Sequence, residues 1–82
     1  MSERTEYLGK RAELRQRRLV LATEGEALRR QLRAALPPDE DVGALDGEVI
    51  AAAAMSLGRI ITDLTATDKR LAVLDRELGD AW

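Results

Sequence analysis

The fold of this chain is decided by residues 50–78, which read IAAAAMSLGRIITDLTATDKRLAVLDREL. Isoleucine or leucine recurs there at every seventh position, and a second, mainly apolar set follows three positions later. The two sets are Ile50, Leu57, Leu64, Leu71 and Leu78, and then Ala53, Ile60, Thr67 and Leu74, continued by Ala81. This spacing places both sets on one stripe of an α-helix and is typical of coiled-coil packing.

A helix of similar length is predicted before this stretch, over about residues 3–36. Only Gly9 and Gly25 disfavour helix there, and an apolar stripe again recurs every seven residues. The members of that stripe are Tyr7, Leu14, Leu21, Leu28 and Ala35. Gly25 lies within the apolar arc, which predicts either a close helix crossing or a kink. The helix should stop at Pro37-Pro38, because a proline disfavours helical geometry in the residue before it.

The connection between the helices is predicted to be an acidic turn over about residues 37–46. Acidic residues after the prolines favour a helix N-terminus, whereas Gly43 and Gly47 oppose a helix. The second helix therefore begins either at Asp39 or near Gly47, where Asp46 would be the N-cap. It should end near residue 79, with Gly79 in a left-handed αL turn.

Together these patterns predict an all-α fold, a single antiparallel two-helix hairpin over residues 1–82 with coiled-coil-like packing. If the turn is centred between Asp41 and Val42, residue i lies level with residue 83 − i. Leu28 then meets Met55 and Leu57. The predicted hairpin seam is Leu14, Leu21, Leu28, Ile50, Leu57, Ile60, Leu64, Leu71, Leu74 and Leu78.

Charge is distributed unevenly between the two halves of the chain. Residues 1–33 hold nine basic and five acidic residues, a balance of +4, and residues 34–82 hold four and ten, a balance of −6. Opposite charge favours packing of the helices against each other. Arg4, Arg11 and Arg18 are therefore expected to pair with acids of the second helix such as Asp63, Asp68 and Asp75. Within the first helix, Glu26 is expected to pair with Arg30.

Ordering the chain costs about 1.5 kcal/mol of conformational entropy per residue. A single seam of small and medium side chains does not offset that cost well. Further apolar residues lie outside the seam and are here called the partner face. They are Leu8, Leu19, Ala51, Ala54, Gly58 and Ile61. We therefore expect self-association, most simply a homodimer of hairpins that forms a four-helix bundle. If the partner face carries that contact, Gly58→Leu should disrupt the oligomer.

Two other features suggest alternative functions, and a third suggests a contact with a partner protein. A basic patch on the first helix would bind phosphates of nucleic acid, and an acidic tip on the turn would make the hairpin a regulator of a larger basic protein machine. The basic patch is Lys10, Arg11, Arg15, Arg17 and Arg18, and the acidic tip is Asp39, Glu40 and Asp41. Trp82 is a candidate aromatic anchor for a partner protein.

Composition argues against most catalytic functions. The 82 residues include neither cysteine nor histidine, which removes the usual zinc ligands, thiol nucleophiles and histidine bases. We therefore expect no enzymatic activity, metal, cofactor or small-molecule substrate. The longest apolar run, Val49–Met55, has seven residues, whereas a membrane span needs about 20, so no membrane association is expected. The expected function is a cytoplasmic protein-interaction module, and the arginine- and alanine-rich composition suggests a bacterial source.

Overall fold

The computed structural model describes residues 3–79. Its elements are helix α1 (Glu3–Ala35), a short 3₁₀ helix (Val42–Ala44) and helix α2 (Gly47–Leu78). The two long helices pack side by side with opposite chain directions, so the described chain is an all-α hairpin. Residues 1–2 and 80–82 lie outside the described part of the chain, and with them the heptad position predicted for Ala81 and the anchor predicted for Trp82.

Helix α1 runs without interruption through Gly25, which is buried. A Cβ atom placed on Gly25 would lie 3.3 Å from Cγ2 of Ile60 and 3.9 Å from Cδ1 of Leu57. This glycine therefore marks a close crossing of the two helices, which decides between the two predictions made for it. Glycine destabilises a helix by about 1 kcal/mol relative to alanine, but a larger side chain at this position would press on α2.

Helix α2 begins at Gly47, the later of the two starts that the sequence allowed. The carboxylate of Asp46 accepts a hydrogen bond from the backbone N–H of Val49 at 3.2 Å, which satisfies one donor of the first turn. At the other end, Gly79 has φ 74° and ψ 172°. The predicted positive φ is present, but the ψ value is extended, so the αL conformation expected there is wrong.

The register of the hairpin follows from two ion pairs between the helices. Arg11 Nη1 lies 3.3 Å from Asp75 Oδ1, and Arg18 Nε lies 2.6 Å from Asp68 Oδ1. In both pairs the residue numbers add up to 86, three more than the 83 expected from the sequence. Helix α2 thus extends about one turn beyond α1 at the tip, because Ala35 lies level with Ala51.

The prediction that Met55 packs opposite Leu28 is wrong, since Met55 is 69 % exposed. Met55 and Lys69 are two heptads apart and both are exposed, so Met55 lies on the side of α2 that faces away from α1.

The seam consists of apolar layers with few fully covered side chains. The ten predicted seam residues are all buried or half-buried, and Leu14, Leu21, Leu74 and Leu78 are the most covered of them. Ala53 and Thr67 are also buried in the seam. The Thr67 hydroxyl donates to the backbone carbonyl of Asp63 at 2.8 Å, so its polar group is satisfied within α2.

The hairpin is long and thin, with extents of 60 × 19 × 14 Å and a radius of gyration of 18.2 Å. A compact chain of this length would have a radius of gyration of about 12 Å. Its accessible surface is 6255 Å², whereas a compact monomer of 9.0 kDa exposes about 4,900 Å². The two helices cover only one side of each other, and no large side chain in residues 3–79 is fully buried.

Candidate functional site: interaction surfaces

One flank of the hairpin carries both the inter-helix ion pairs and the partner face. Ile61 stands one heptad before Asp68 and two before Asp75, so these three residues form one stripe of α2. In the register of the ion pairs, Ile61 lies level with Gly25. A shallow groove of about 240 Å³ opens there, lined by Ala22, Gly25, Glu26, Arg29, Leu57, Ile60, Ile61 and Leu64. This flank thus carries the inter-helix ion pairs towards the chain ends and, towards the tip, a groove whose lining is mainly apolar apart from Glu26 and Arg29.

The partner face is largely exposed in the hairpin. Leu19 is 61 % exposed and Ile61 is 53 % exposed, Leu8 is half-buried, and the three small residues Ala51, Ala54 and Gly58 are exposed. A Cβ atom placed on Gly58 would meet nothing within 4 Å. Packing within the hairpin therefore does not explain the small residues of this face.

The two halves of the partner face lie at different heights along the hairpin. Of its α1 members, Leu8 lies towards the end that holds the chain termini and Leu19 lies at the middle of the helix. Asp75 and Asp68 occupy the same flank of α2 at these heights. Its small α2 members are near the tip, where Arg29 and Arg33 are the neighbouring residues of α1. This offset depends on the register of the two helices, so it could not be predicted from the sequence.

The opposite flank, here called the charged flank, has four charged residues at its centre: Arg17, Glu24, Asp63 and Arg70. Two grooves define it, one lined by Lys10, Leu14, Arg70, Val73 and Leu74, and the other by Glu24, Ala27, Leu28, Ser56, Arg59 and Ile60. Arg17 stands one heptad after Lys10, and Asp63 stands one heptad after Ser56, so both belong to the same stripes.

Like charges face each other across the seam on the charged flank. The residue numbers of Arg17 and Arg70 add up to 87, as do those of Glu24 and Asp63, so each pair is nearly level. Within residues 3–79, none of these four side chains forms an ion pair. Asp63 is half-buried at the seam edge. The expectation that Asp63 pairs with an arginine of α1 is therefore wrong, whereas the pairing of Asp68 and Asp75 is confirmed.

The five residues of the basic patch do not form one surface. Arg11 and Arg18 point to the ion-pair flank, where Asp75 and Asp68 neutralise them. Lys10 and Arg17 lie on the charged flank. Arg15 is exposed and lies on the ion-pair flank, because it precedes Ala22 by one heptad. The patch thus divides between two sides of the hairpin, and two of its charges are already compensated.

The acidic tip is exposed, and one of its members has a structural role. The carboxylate of Asp41 accepts a hydrogen bond from the N–H of Gly43 at 3.1 Å and caps the 3₁₀ helix. Asp39 and Glu40 cap neither the 3₁₀ helix nor α2, whose N-caps are Asp41 and Asp46. Across residues 3–79, no group of three or more acidic side chains is placed to hold a metal ion.

A further ion pair lies within α1. Glu26 pairs with Arg29 rather than with Arg30 as expected. The hydrogen bond from the Arg29 guanidinium lowers the pKa of Glu26, and the carboxylate in turn raises the pKa of Arg29. Both groups are exposed, so the pair adds little to stability.

No protein-family model, no curated protein and no solved structure matches the chain.

Helix α2 is long and apolar enough, by length and composition alone, to cross a membrane. Its most apolar 18-residue window has a mean hydropathy of 1.4, and 6 % of that window is buried. This is weak support for a span, because core helices of soluble proteins pass the same test. Arg59 and Asp63 also lie within α2, and charged residues are costly in a bilayer.

Proposed function

We propose that this chain is a non-enzymatic helical hairpin that acts as a protein-interaction and assembly module. In this proposal it associates with itself, in the manner of a four-helix bundle, and it also binds a further protein. The supporting observation is the surface that the hairpin leaves open, about 1,400 Å² more than a compact monomer of its mass would expose. Packing a second pair of helices against the first is the usual way to cover such a surface.

The size of the open surface agrees with what a stable contact needs. One flat side of the hairpin, about 60 × 19 Å, offers roughly 1,100 Å². A standard protein–protein interface buries about 800 Å² on each partner. One side of the hairpin is therefore sufficient for one partner, and the other side remains available for a second.

Light scattering on a sizing column, repeated over a concentration series, tests self-association. We expect a mass of twice or four times 9.0 kDa. A mass of one chain at every concentration would contradict the proposal. Flotation of the protein with lipid vesicles in a density gradient serves as a control, because it detects a membrane-bound α2.

A matched pair of glycine substitutions then locates the contact. Gly58 lies on the partner face and Gly9 lies on α1, and a Cβ atom at either position meets nothing within 4 Å. Gly58→Leu and Gly9→Leu therefore add the same bulk to an open helix surface. A loss of mass in Gly58→Leu alone would assign the self-contact to the partner face. Unchanged masses in both variants would leave that face for the further protein.

The two alternative functions remain predictions of the sequence. Nucleic-acid binding requires several cations on one surface, whereas two of the five basic-patch residues are engaged in ion pairs. A titration with nucleic acid at low and at high salt tests it, since absence of binding at low salt would exclude it. For the acid-tipped regulator, Asp39, Glu40 and Asp41 are replaced by Asn or Gln. These changes should abolish the regulatory activity and leave the fold intact.

A further inference from the structure

The charged flank has a charge pattern that matches itself when a second copy is turned around. Arg17 and Arg70 form a positive row across the two helices, and Glu24 and Asp63 form a negative row seven residues nearer the tip. The two rows are about 10 Å apart along the hairpin. Within one hairpin, each row places like charges near each other, which is unfavourable. Arg59 lines the same groove as Glu24 but forms no ion pair with it among the described residues.

A half-turn about an axis between the rows exchanges their positions. The axis passes level with Val20 on α1 and Ala66 on α2, the midpoints of the two rows. Under this rotation the positive row of each copy meets the negative row of the other. Val20 meets its own equivalent, as does Ala66. Val20 is 45 % exposed and Ala66 is exposed, so an apolar strip is available at the centre of such a contact.

We propose that two copies of this chain associate through their charged flanks, as an antiparallel two-fold dimer with its axis at the level of Val20 and Ala66. This deepens the proposed self-association and depends on it. All four central charges of each copy are then paired, including the half-buried Asp63. Flanking charges of a helical bundle commonly determine partner choice and orientation in this way.

The partner face is then available for the further protein. Its members on α1 and on α2 lie at different heights of the hairpin, and Asp68 and Asp75 occupy the same flank beside the α1 members. On the charged flank, the charges and the apolar centre are matched by one and the same axis.

Charge reversal of one row at a time tests the proposed dimer. Arg17→Glu with Arg70→Glu makes both rows negative, and Glu24→Arg with Asp63→Arg makes both rows positive. Each variant alone should be monomeric, because its rows repel in the dimer, with the dissociation constant raised roughly a hundredfold. An equimolar mixture of the two variants should recover the wild-type dimer mass, because opposite rows meet again.

Two controls separate this effect from a general effect of charge or of folding. Arg30→Glu with Lys69→Glu makes the same charge change on exposed outer positions and should leave the dimer mass unchanged. Reversal of all four charges in one chain should restore the homodimer, because the self-matching pattern is only inverted. Far-UV circular dichroism verifies that each variant is helical.

A cysteine cross-link tests the position of the axis, since the chain has no cysteine of its own. Val20→Cys should cross-link to itself through a thiol reagent that spans about 10 Å. Ala27→Cys, one heptad further along the same stripe, should not, because its two copies would be about 20 Å apart.

The outcomes distinguish this proposal from the broader one. A wild-type dimer that survives either row reversal, or variants whose mixture stays monomeric, would overturn the charged-flank dimer and leave self-association in place. A wild-type chain that is monomeric at every concentration would overturn both.

Discussion

At Gly25 the two helices are close enough that a side chain on α1 would meet Ile60 of α2. The sequence shows only that a glycine interrupts an apolar stripe, which agrees with a crossing and also with a kink. Only the position of Ile60 distinguishes the two. The same residue type at Gly9 faces open space, so the two glycines should respond to substitution in opposite directions.

We predict that Gly25→Leu lowers the free energy of unfolding by about 1–3 kcal/mol, because the new side chain overpacks the seam. Gly9→Leu should raise it by about 0.5–1 kcal/mol through helix propensity alone. Urea unfolding at one fixed chain concentration measures both. A Gly25→Leu chain as stable as the wild type would contradict the close crossing.

Thr67 provides a second residue-scale prediction. Its buried hydroxyl bonds only to the carbonyl of Asp63, one turn earlier in the same helix. Thr67→Val should therefore stabilise the hairpin by about 0.5–1 kcal/mol, since a methyl group replaces a buried polar group. Thr62 makes the same kind of bond, to Gly58, but on an exposed position. Thr62→Val is thus the matched control and should change stability by less than about 0.5 kcal/mol.

At the scale of the elements, the two ion pairs between the helices show how α1 is aligned with α2. Their energies are modest, because exposed pairs contribute about 0–1 kcal/mol. Their geometry is nevertheless informative, since both pairs require the same alignment of the two helices.

We predict that Arg18→Asp and Asp68→Arg each destabilise the hairpin, and that the double exchange recovers most of the loss. The coupling energy from this double-mutant cycle should be about 0.5–1 kcal/mol and should fall at high salt. Combining Arg18→Asp with Glu77→Arg is the matched control, because Glu77 is exposed and forms no ion pair among the described residues. Equal rescue by Glu77→Arg would mean that the recovery does not come from the Arg18–Asp68 alignment.

The two helices and their turn could be predicted from the sequence because each rests on local signals. Heptad spacing predicts the two helices, and Pro37-Pro38 predicts the end of α1. Asp46 predicts the start of α2 near Gly47, which was one of two possible starts. The register could not be predicted, since the turn length does not determine how far α2 extends past α1. The charged flank was missed for the same reason. Arg17 and Arg70 become neighbours only when the alignment is known.

At the scale of the whole molecule, the hairpin buries too little of itself to resemble a compact domain. Its radius of gyration of 18.2 Å reflects a single seam drawn out over 60 Å. Stability should therefore depend strongly on whether a second surface covers it.

We predict that the thermal midpoint rises with chain concentration, because a dimer that dissociates on unfolding is stabilised by mass action. Circular dichroism melts over a hundredfold concentration range measure this. The charge-reversed chain Arg17→Glu/Arg70→Glu should melt at a midpoint independent of concentration. A constant midpoint for the wild-type chain would mean that the hairpin unfolds as a monomer.

The register also has a mechanical consequence. Because the hairpin turns back at its tip, Glu3 and Gly79 lie together at the far end. A force that pulls these two points apart acts on one seam layer at a time, first at Tyr7 and Leu78 and then progressively towards Gly25. The molecule should therefore unzip at low force, whereas a pull between Glu3 and the tip would stretch α1 along its axis. The hairpin thus yields easily when its seam contacts separate layer by layer, and it resists more strongly when the backbone hydrogen bonds of α1 are loaded along the helix axis.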